Sequence, residues 1–229
     1  MLSTLLQEDV AWSEIGALMD HNQPTCHIVS GPNGAGKSTF ARSYILNYIK
    51  DGKYLNADDI AKSLCPEDPS KVQAKAGKIF LEELERHIGL REDFAFETTL
   101  AGSGFLPRIR RWREDNWNVV LYYLYIPSAF FSLQRVRERV SRGGHDIPEK
   151  DIFRRYPRSL ANLFTYSDVC DMTLCFDNSG AAMVPIFEKM LGGECNVMDA
   201  VLFAEIERYL RELKEQSKMA SPVKKEENR

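Results

Sequence analysis

The residues Gly31-Pro32-Asn33-Gly34-Ala35-Gly36-Lys37-Ser38 satisfy the pattern G-x-x-x-x-G-K-[ST] at every fixed position. That spacing suits the binding of a polyphosphate. Glycines let successive backbone N–H groups curve around the anion, the lysine adds a point charge at its outer phosphates, and the serine hydroxyl is a hard oxygen ligand for Mg²⁺. The context agrees: TCHIVSG (Thr25 to Gly31) is a short apolar run closed by glycine, and a helical pattern follows from Lys37 to about Ile49. The loop therefore lies at a helix N-terminus, whose partial positive charge favours anions. Gly31, Asn33, Gly34, Ala35, Gly36, Lys37, Ser38 and Thr39 are assigned to nucleotide binding, with Ser38 also the Mg²⁺ ligand.

A bound nucleotide calls for partners of three kinds: a base for an acceptor hydroxyl, a metal anchor, and cations around a transferred phosphoryl group. Asp58, in Asn56-Ala57-Asp58-Asp59, follows a second strand and can take a hydroxyl proton; the plainer alternative is a helix N-cap. Glu97 interrupts the apolar strand FAFETTL, where a carboxylate is costly unless a metal, a base, a substrate group or a salt bridge answers it. Thr99, two residues on, falls on the same face, whereas Thr98 points the other way and is read as packing. From Arg135 to Arg158 eight lysines and arginines stand against four acids, in RVRERVSRGGHDIPEKDIFRRYPR. Arg135, Arg139 and Arg142 recur at helical spacing, as do Arg154 and Arg158, so two basic helix faces flank the GGHDIP turn. Such a hairpin can close over a triphosphate and exclude water.

The elements that must hold these groups alternate. An acidic amphipathic helix is expected over residues 1–22, then the strand and helix around the loop, and a second strand at KYLNADD. A helix over 71–89 leads to FAFETTL, a basic helix near 104–115 to the strand NVVLYYLYI, and lid helices over 128–164 to the strand DMTLCFDNS. A last helix over 199–215 precedes a polar tail, 215–229, expected to be disordered. Residues 1–214 read as one domain. Apolar strands alternating with helices predict a parallel sheet covered on both faces, with ligands beyond the carboxyl ends of its strands.

Composition narrows the function classes. The chain has 229 residues, 30 basic against 33 acidic, and a net charge of -3, so no global basic field exists to hold nucleic acid. The string Arg108, Arg110, Arg111, Arg113 is followed at once by Glu114 and Asp115 and reads as a solvent-facing helix. No apolar run reaches about 18 residues and the start lacks the pattern of a secretory signal, so a soluble cytoplasmic protein without membrane contact is expected. The five cysteines are scattered with no C-x-x-C pair, which argues against a disulfide framework or a zinc site.

The same loop spelling also occurs in ABC-type ATPases, but an LSGGQ-like segment and an apolar strand ending in Asp-Glu are missing here. Taken together, GPNGAGKSTFAR, LNADDIA, FAFETTLAG, RVRERVSRGGHDIPEKDIFRRY and FDNSG resemble the zeta-toxin family over about residues 25–180. The resemblance implies an α/β P-loop NTPase with an adenylate-kinase-like parallel five-stranded sheet of order 2-3-1-4-5, helices on both faces and a helical lid. It implies ATP with Mg²⁺ as phosphoryl donor, a small-molecule hydroxyl such as that of UDP-N-acetylglucosamine as acceptor, and a protein antitoxin as partner. By position Asp58 matches the family's base, and Glu97 and Thr99 its sugar-nucleotide contacts. Lys37 matches its phosphate lysine. Arg139 and Arg154 are the preferred matches to its ATP-gripping arginines, with Arg135, Arg142 and Arg155 open, and Asn178 sits where such kinases contact the nucleotide base. The lid looks like that of stand-alone chromosomal relatives, and a metabolite kinase without toxicity fits the same residues. The alternative class is a nucleotide-gated interaction module with no small-molecule acceptor.

Overall fold

The computed structural model describes residues 22–219 except 47–48, 50–52 and 145. The helix expected before residue 22, His145 of the lid turn and tail residues 220–229 lie outside the described residues. Strand β1 (Thr25–Ser30) runs into the phosphate loop and helix α1 (Lys37–Phe40), which continues as a π-helical turn over Ala41–Ile45. Then come β2 (Tyr54–Leu55), α2 (Ala57–Leu64), α3 (Gln73–Leu90), β3 (Phe94–Thr98) and α4 (Leu106–Glu114). The chain goes on through β4 (Asn118–Tyr125), α5 (Ala129–Ser141), α6 (Glu149–Ser167) and β5 (Met172–Asp177). Two further strands, β6 (Val184–Met190) and β7 (Cys195–Val197), precede α7 (Ala200–Met219).

The sheet order is β2-β3-β1-β4-β5-β6-β7. Its first five strands are parallel and in the expected order. The expectation of a five-stranded, all-parallel sheet is corrected by β6 and β7, which add antiparallel. The physical reason is the connection: β5 reaches β6 through a short segment with no crossover helix, and such a link can only return the chain antiparallel. The helix expected to stop at 215 also continues to Met219, through a Lys-, Glu- and Gln-containing stretch of good helix formers.

All of β4 is buried, as a central strand covered on both faces must be. One face packs Phe94, Phe96 and Tyr123 under Leu84 of α3, Trp112 of α4 and Leu163 of α6. The other packs Val29, Val120 and Tyr122 under Phe40 and Ile45. Among the described residues no helix is long and apolar enough to cross a membrane. This two-sided packing fixes the carboxyl ends of β1, β2 and β3, where the phosphate loop, Asp58 and Glu97 emerge.

His27 on β1 titrates against this core. Burial pushes its imidazole from 6.5 down to about 4, with Asp93 opposing, and its Nδ1 lies 3.0 Å from the Tyr122 hydroxyl. The unfolded chain therefore binds a proton that the folded chain refuses between pH 6.5 and 4, so stability falls as pH drops through that window. Wild type is expected to lose on the order of 2 kcal/mol more than His27→Gln between pH 7 and 4, read from urea midpoints; parallel pH profiles count against this.

Candidate active site

The loop after β1 is braced from three sides. Gly31 has φ 135, and a Cβ there would run into the Leu124 carbonyl of β4, so only glycine lets the chain leave the sheet at this point. Gly36 has φ 86, and a Cβ would stand 2.6 Å from the Asn178 amide. Asn178, just past β5, donates its Nδ2 hydrogen to the Ala35 carbonyl at 2.8 Å. Arg135 of α5 donates to the Asn178 and Ser179 carbonyls at 2.6 and 3.1 Å, and the Ser132 hydroxyl donates to the Asn33 carbonyl. Asn178, expected at the nucleotide base, thus holds the shape of the loop.

Lys37 is buried and donates to the Pro32 carbonyl at 2.9 Å. Burial lowers its pKa from 10.5, Glu97 and Asp58 oppose that shift, and Arg139 and Arg155 add to it. A cation kept in so unfavourable a place, among glycine N–H groups, fits a polyanion that takes it over. The Ser38 hydroxyl donates to Glu97 Oε2 at 2.7 Å. Hydroxyl and carboxylate oxygens at that separation are the donor set that Mg²⁺ prefers, so the residues present fit a Mg²⁺–polyphosphate.

Glu97 has a second partner that the sequence did not reveal: the Tyr54 phenol of β2 donates to the same Oε2. Burial, with Glu97 adjacent, holds that phenol far above its usual pKa and hence protonated. Strand alternation puts Tyr54 two residues before Asn56 at this edge, but only the pairing of β2 with β3 shows how far its hydroxyl reaches. Tyr54→Phe removes one of the two hydroxyls that orient Glu97, and the concentration of Mg²⁺ needed to half-saturate the site, titrated calorimetrically with a nucleotide present, is expected to rise about tenfold. An unchanged Mg²⁺ dependence removes Tyr54 from the site.

The carboxylate opposite comes from α2. Asn56, in extended conformation, is the N-cap, its Oδ1 accepting from the Asp58 N–H at 2.8 Å. The capping role weighed for Asp58 is thus filled by Asn56, and the exposed Asp58 carboxylate borders the cavity. Asp59 turns away toward Arg42, 3.8 Å distant.

These groups surround a cavity of about 840 Å³. Its roof is the hairpin of α5 and α6, which has a small core of its own around Leu133, Val136 and Ile152. Arg135 and Arg139 of α5, Arg142 at its C-cap and Arg155 of α6 line the cavity. Arg154 does not: it faces outward, bonded to Asp151 at 2.7 Å. The reason is rotational, since adjacent helix residues differ by about 100° and Ile152 and Tyr156 are the buried ones here. Thr99 also lines the cavity, and so does Thr98, which alternation had turned away. Alternation ends there because Leu100 takes φ 57, its N–H donating to Thr98 Oγ1 at 3.2 Å. Asn162 and Tyr166 of α6 pin this segment through the Leu100 and Gly102 carbonyls.

The zeta toxin family model matches residues 11–184. An uncharacterised protein of Haemophilus influenzae is 32% identical over 130 residues, 55% of this chain and 88% of the relative. Among solved structures, the AvrRxo1-ORF1:-ORF2 complex with ATP superposes with a TM-score of 0.64 at 18% identity, over 80% of this chain. The match spans 63% of that longer chain, under two thirds of it. A structure from the PezAT chromosomal toxin-antitoxin system of Streptococcus pneumoniae gives a TM-score of 0.55 at 14% identity, covering 85% of this chain and 89% of that one. At these identities the structural likeness concerns the fold.

Proposed function

The chain belongs to the zeta-toxin family, and from that premise we propose that it is an ATP-dependent phosphotransferase acting on a hydroxyl of a small metabolite. The observation that carries the reading is that Asp58, Lys37 and Ser38 border one cavity, with Glu97 accepting from the Ser38 hydroxyl beside them. In this reading Asp58 takes the proton of the acceptor hydroxyl. Lys37 and the lid arginines receive the charge that develops on the transferred group and on the leaving diphosphate, and Ser38 with Glu97 places Mg²⁺. Bound there, Mg²⁺ would supply neutralisation of the polyphosphate's charge. Thr99 contacts the acceptor.

The finer expectation, a nucleotide sugar such as UDP-N-acetylglucosamine, sets the head of the acceptor panel. ATP consumption with Mg²⁺ across that panel is the direct test, and acceptor-dependent turnover supports the kinase. ATP binding with no acceptor effect favours the interaction module. The lid separates the arginines: Arg155→Ala is expected to lower kcat about 10²-fold, whereas Arg154→Ala stays within about twofold, as for an exposed ion pair. The reverse ranking reassigns the lid. The partner class proposed is a protein antitoxin, by analogy with the PezAT system, and a co-purified partner that blocks ATP binding is its test.

A further inference from the structure

The segment that carries Thr98 and Thr99 ends in an uncommon backbone conformation. Leu100, the next residue, has φ 57 and is only 1% exposed. A bulky side chain in the left-handed region crowds its own backbone, and such a residue persists only where its surroundings impose it. The loop beyond does not impose it: Gly102, Ser103 and Gly104 are exposed, and a Cβ at either glycine would meet none of the described residues within 4 Å.

The groups that do impose it stand on α6. Asn162 donates from Nδ2 to the Leu100 carbonyl at 2.7 Å, and the Tyr166 hydroxyl donates to the Gly102 carbonyl at 2.8 Å. Both belong to one stripe of the helix, since Arg155, Ser159, Asn162 and Tyr166 recur at helical spacing. Arg155 borders the cavity, and Ser159 Oγ lies 3.0 Å from the Tyr123 hydroxyl of β4. One helix thus carries a lid arginine near its start and, about two turns on, props the turn that follows β3.

Resting on the kinase reading, in which Thr99 contacts the acceptor, we infer that Asn162 is a positioning residue for the acceptor: its amide holds Leu100 in the left-handed turn that presents Thr99 to the cavity bordered by Asp58 and Glu97. Asn162 does not itself border that cavity, so it acts through the backbone. Without its donor the Leu100 carbonyl loses this partner, the chain is free to return to negative φ, and Thr99 is re-aimed.

Steady-state kinetics of the full chain with Mg²⁺ and ATP tests this with UDP-N-acetylglucosamine, N-acetylglucosamine, uridine and adenosine as acceptors. For each one that wild type phosphorylates, Asn162→Ala is expected to raise the acceptor KM about tenfold while ATP affinity stays within about twofold. Asn162→Asp keeps the shape, removes the donor, and is expected to do the same. Ser159→Ala removes a bond from the same helix without touching the turn, and is expected to leave the acceptor KM within about twofold. In a Thr99→Ala background, Asn162→Ala is expected to add less than about twofold, because both changes act through one side chain. Hydrogen exchange reads the turn with no acceptor present: peptides spanning residues 98–105 lose protection in Asn162→Ala, whereas those of β4 and the phosphate loop keep it. An unchanged acceptor KM, an equal loss of ATP affinity, an equal effect of Ser159→Ala, additivity with Thr99→Ala, or unchanged exchange over 98–105 overturns the inference. Failure of the kinase reading looks different: wild type transfers phosphoryl to none of the four compounds, and the inference falls with it even where exchange changes as expected.

Discussion

Asp58→Ala is expected to lower acceptor-dependent kcat by about 10²- to 10⁴-fold, the range of a positioned general base, while ATP affinity stays within about twofold. The separation follows from where the side chain stands. Its backbone N–H is held by the Asn56 cap at 2.8 Å, so α2 keeps its start when the carboxylate is removed. The loss to the fold is confined to the favourable placement of one acid in the first helical turn, about 0.3–1 kcal/mol. Asp58→Asn preserves shape and removes the base, and is expected to fall as far as alanine. Asp58→Glu keeps the base on a longer stem and is expected to recover part of the rate. Steady-state kinetics with titrated ATP reads all three. Turnover retained in Asp58→Ala but lost in Glu97→Gln transfers the role of base to Glu97.

How much of this site was legible in the sequence depends on how locally each part is determined. The phosphate loop was fully legible because its chemistry is contained in consecutive residues; the parallel direction of the first five strands followed from their alternation with helices, whereas their order came only with the family resemblance. Asp58 and Glu97 were found because a carboxylate at a strand end is conspicuous. What could not be read were relations across the fold. The Tyr54 hydroxyl meets Glu97 only through the pairing of β2 with β3. The choice of Arg155 over Arg154 depends on how α6 is rotated against its neighbours, and two adjacent arginines carry no sign of it. Strands β6 and β7 escaped because Pro185 lies near the start of β6 and the outer residues Val184, Met190 and Val197 are exposed, which blurs the alternation of a half-buried strand. The proline is accommodated at the irregularity between Cys175 and Phe176 where β5 meets β6.

Lys37→Ala is expected to abolish the stabilisation that ATP gives and to lower turnover about 10³-fold, yet to leave the nucleotide-free protein no less stable than wild type. The two halves of this expectation have one cause. Lys37 is buried with a lowered pKa, which means that its charge is held at a cost in the empty loop. Its bond to the Pro32 carbonyl is small compensation. Removing the cation relieves that cost when no nucleotide is bound, and it removes the charge that an outer phosphate would meet. In a thermal melt with ATP at about 100 times its Kd, wild type should gain roughly 2.7 kcal/mol and Lys37→Ala almost nothing. Lys37→Arg is not a rescue, because a planar guanidinium on a different stem cannot take the place of a compact ammonium in a tight backbone cradle. A variant that melts well below wild type without nucleotide assigns Lys37 a structural role. One that keeps its ATP-induced shift places the phosphates elsewhere and removes the basis for reading Asp58 as the base opposite them.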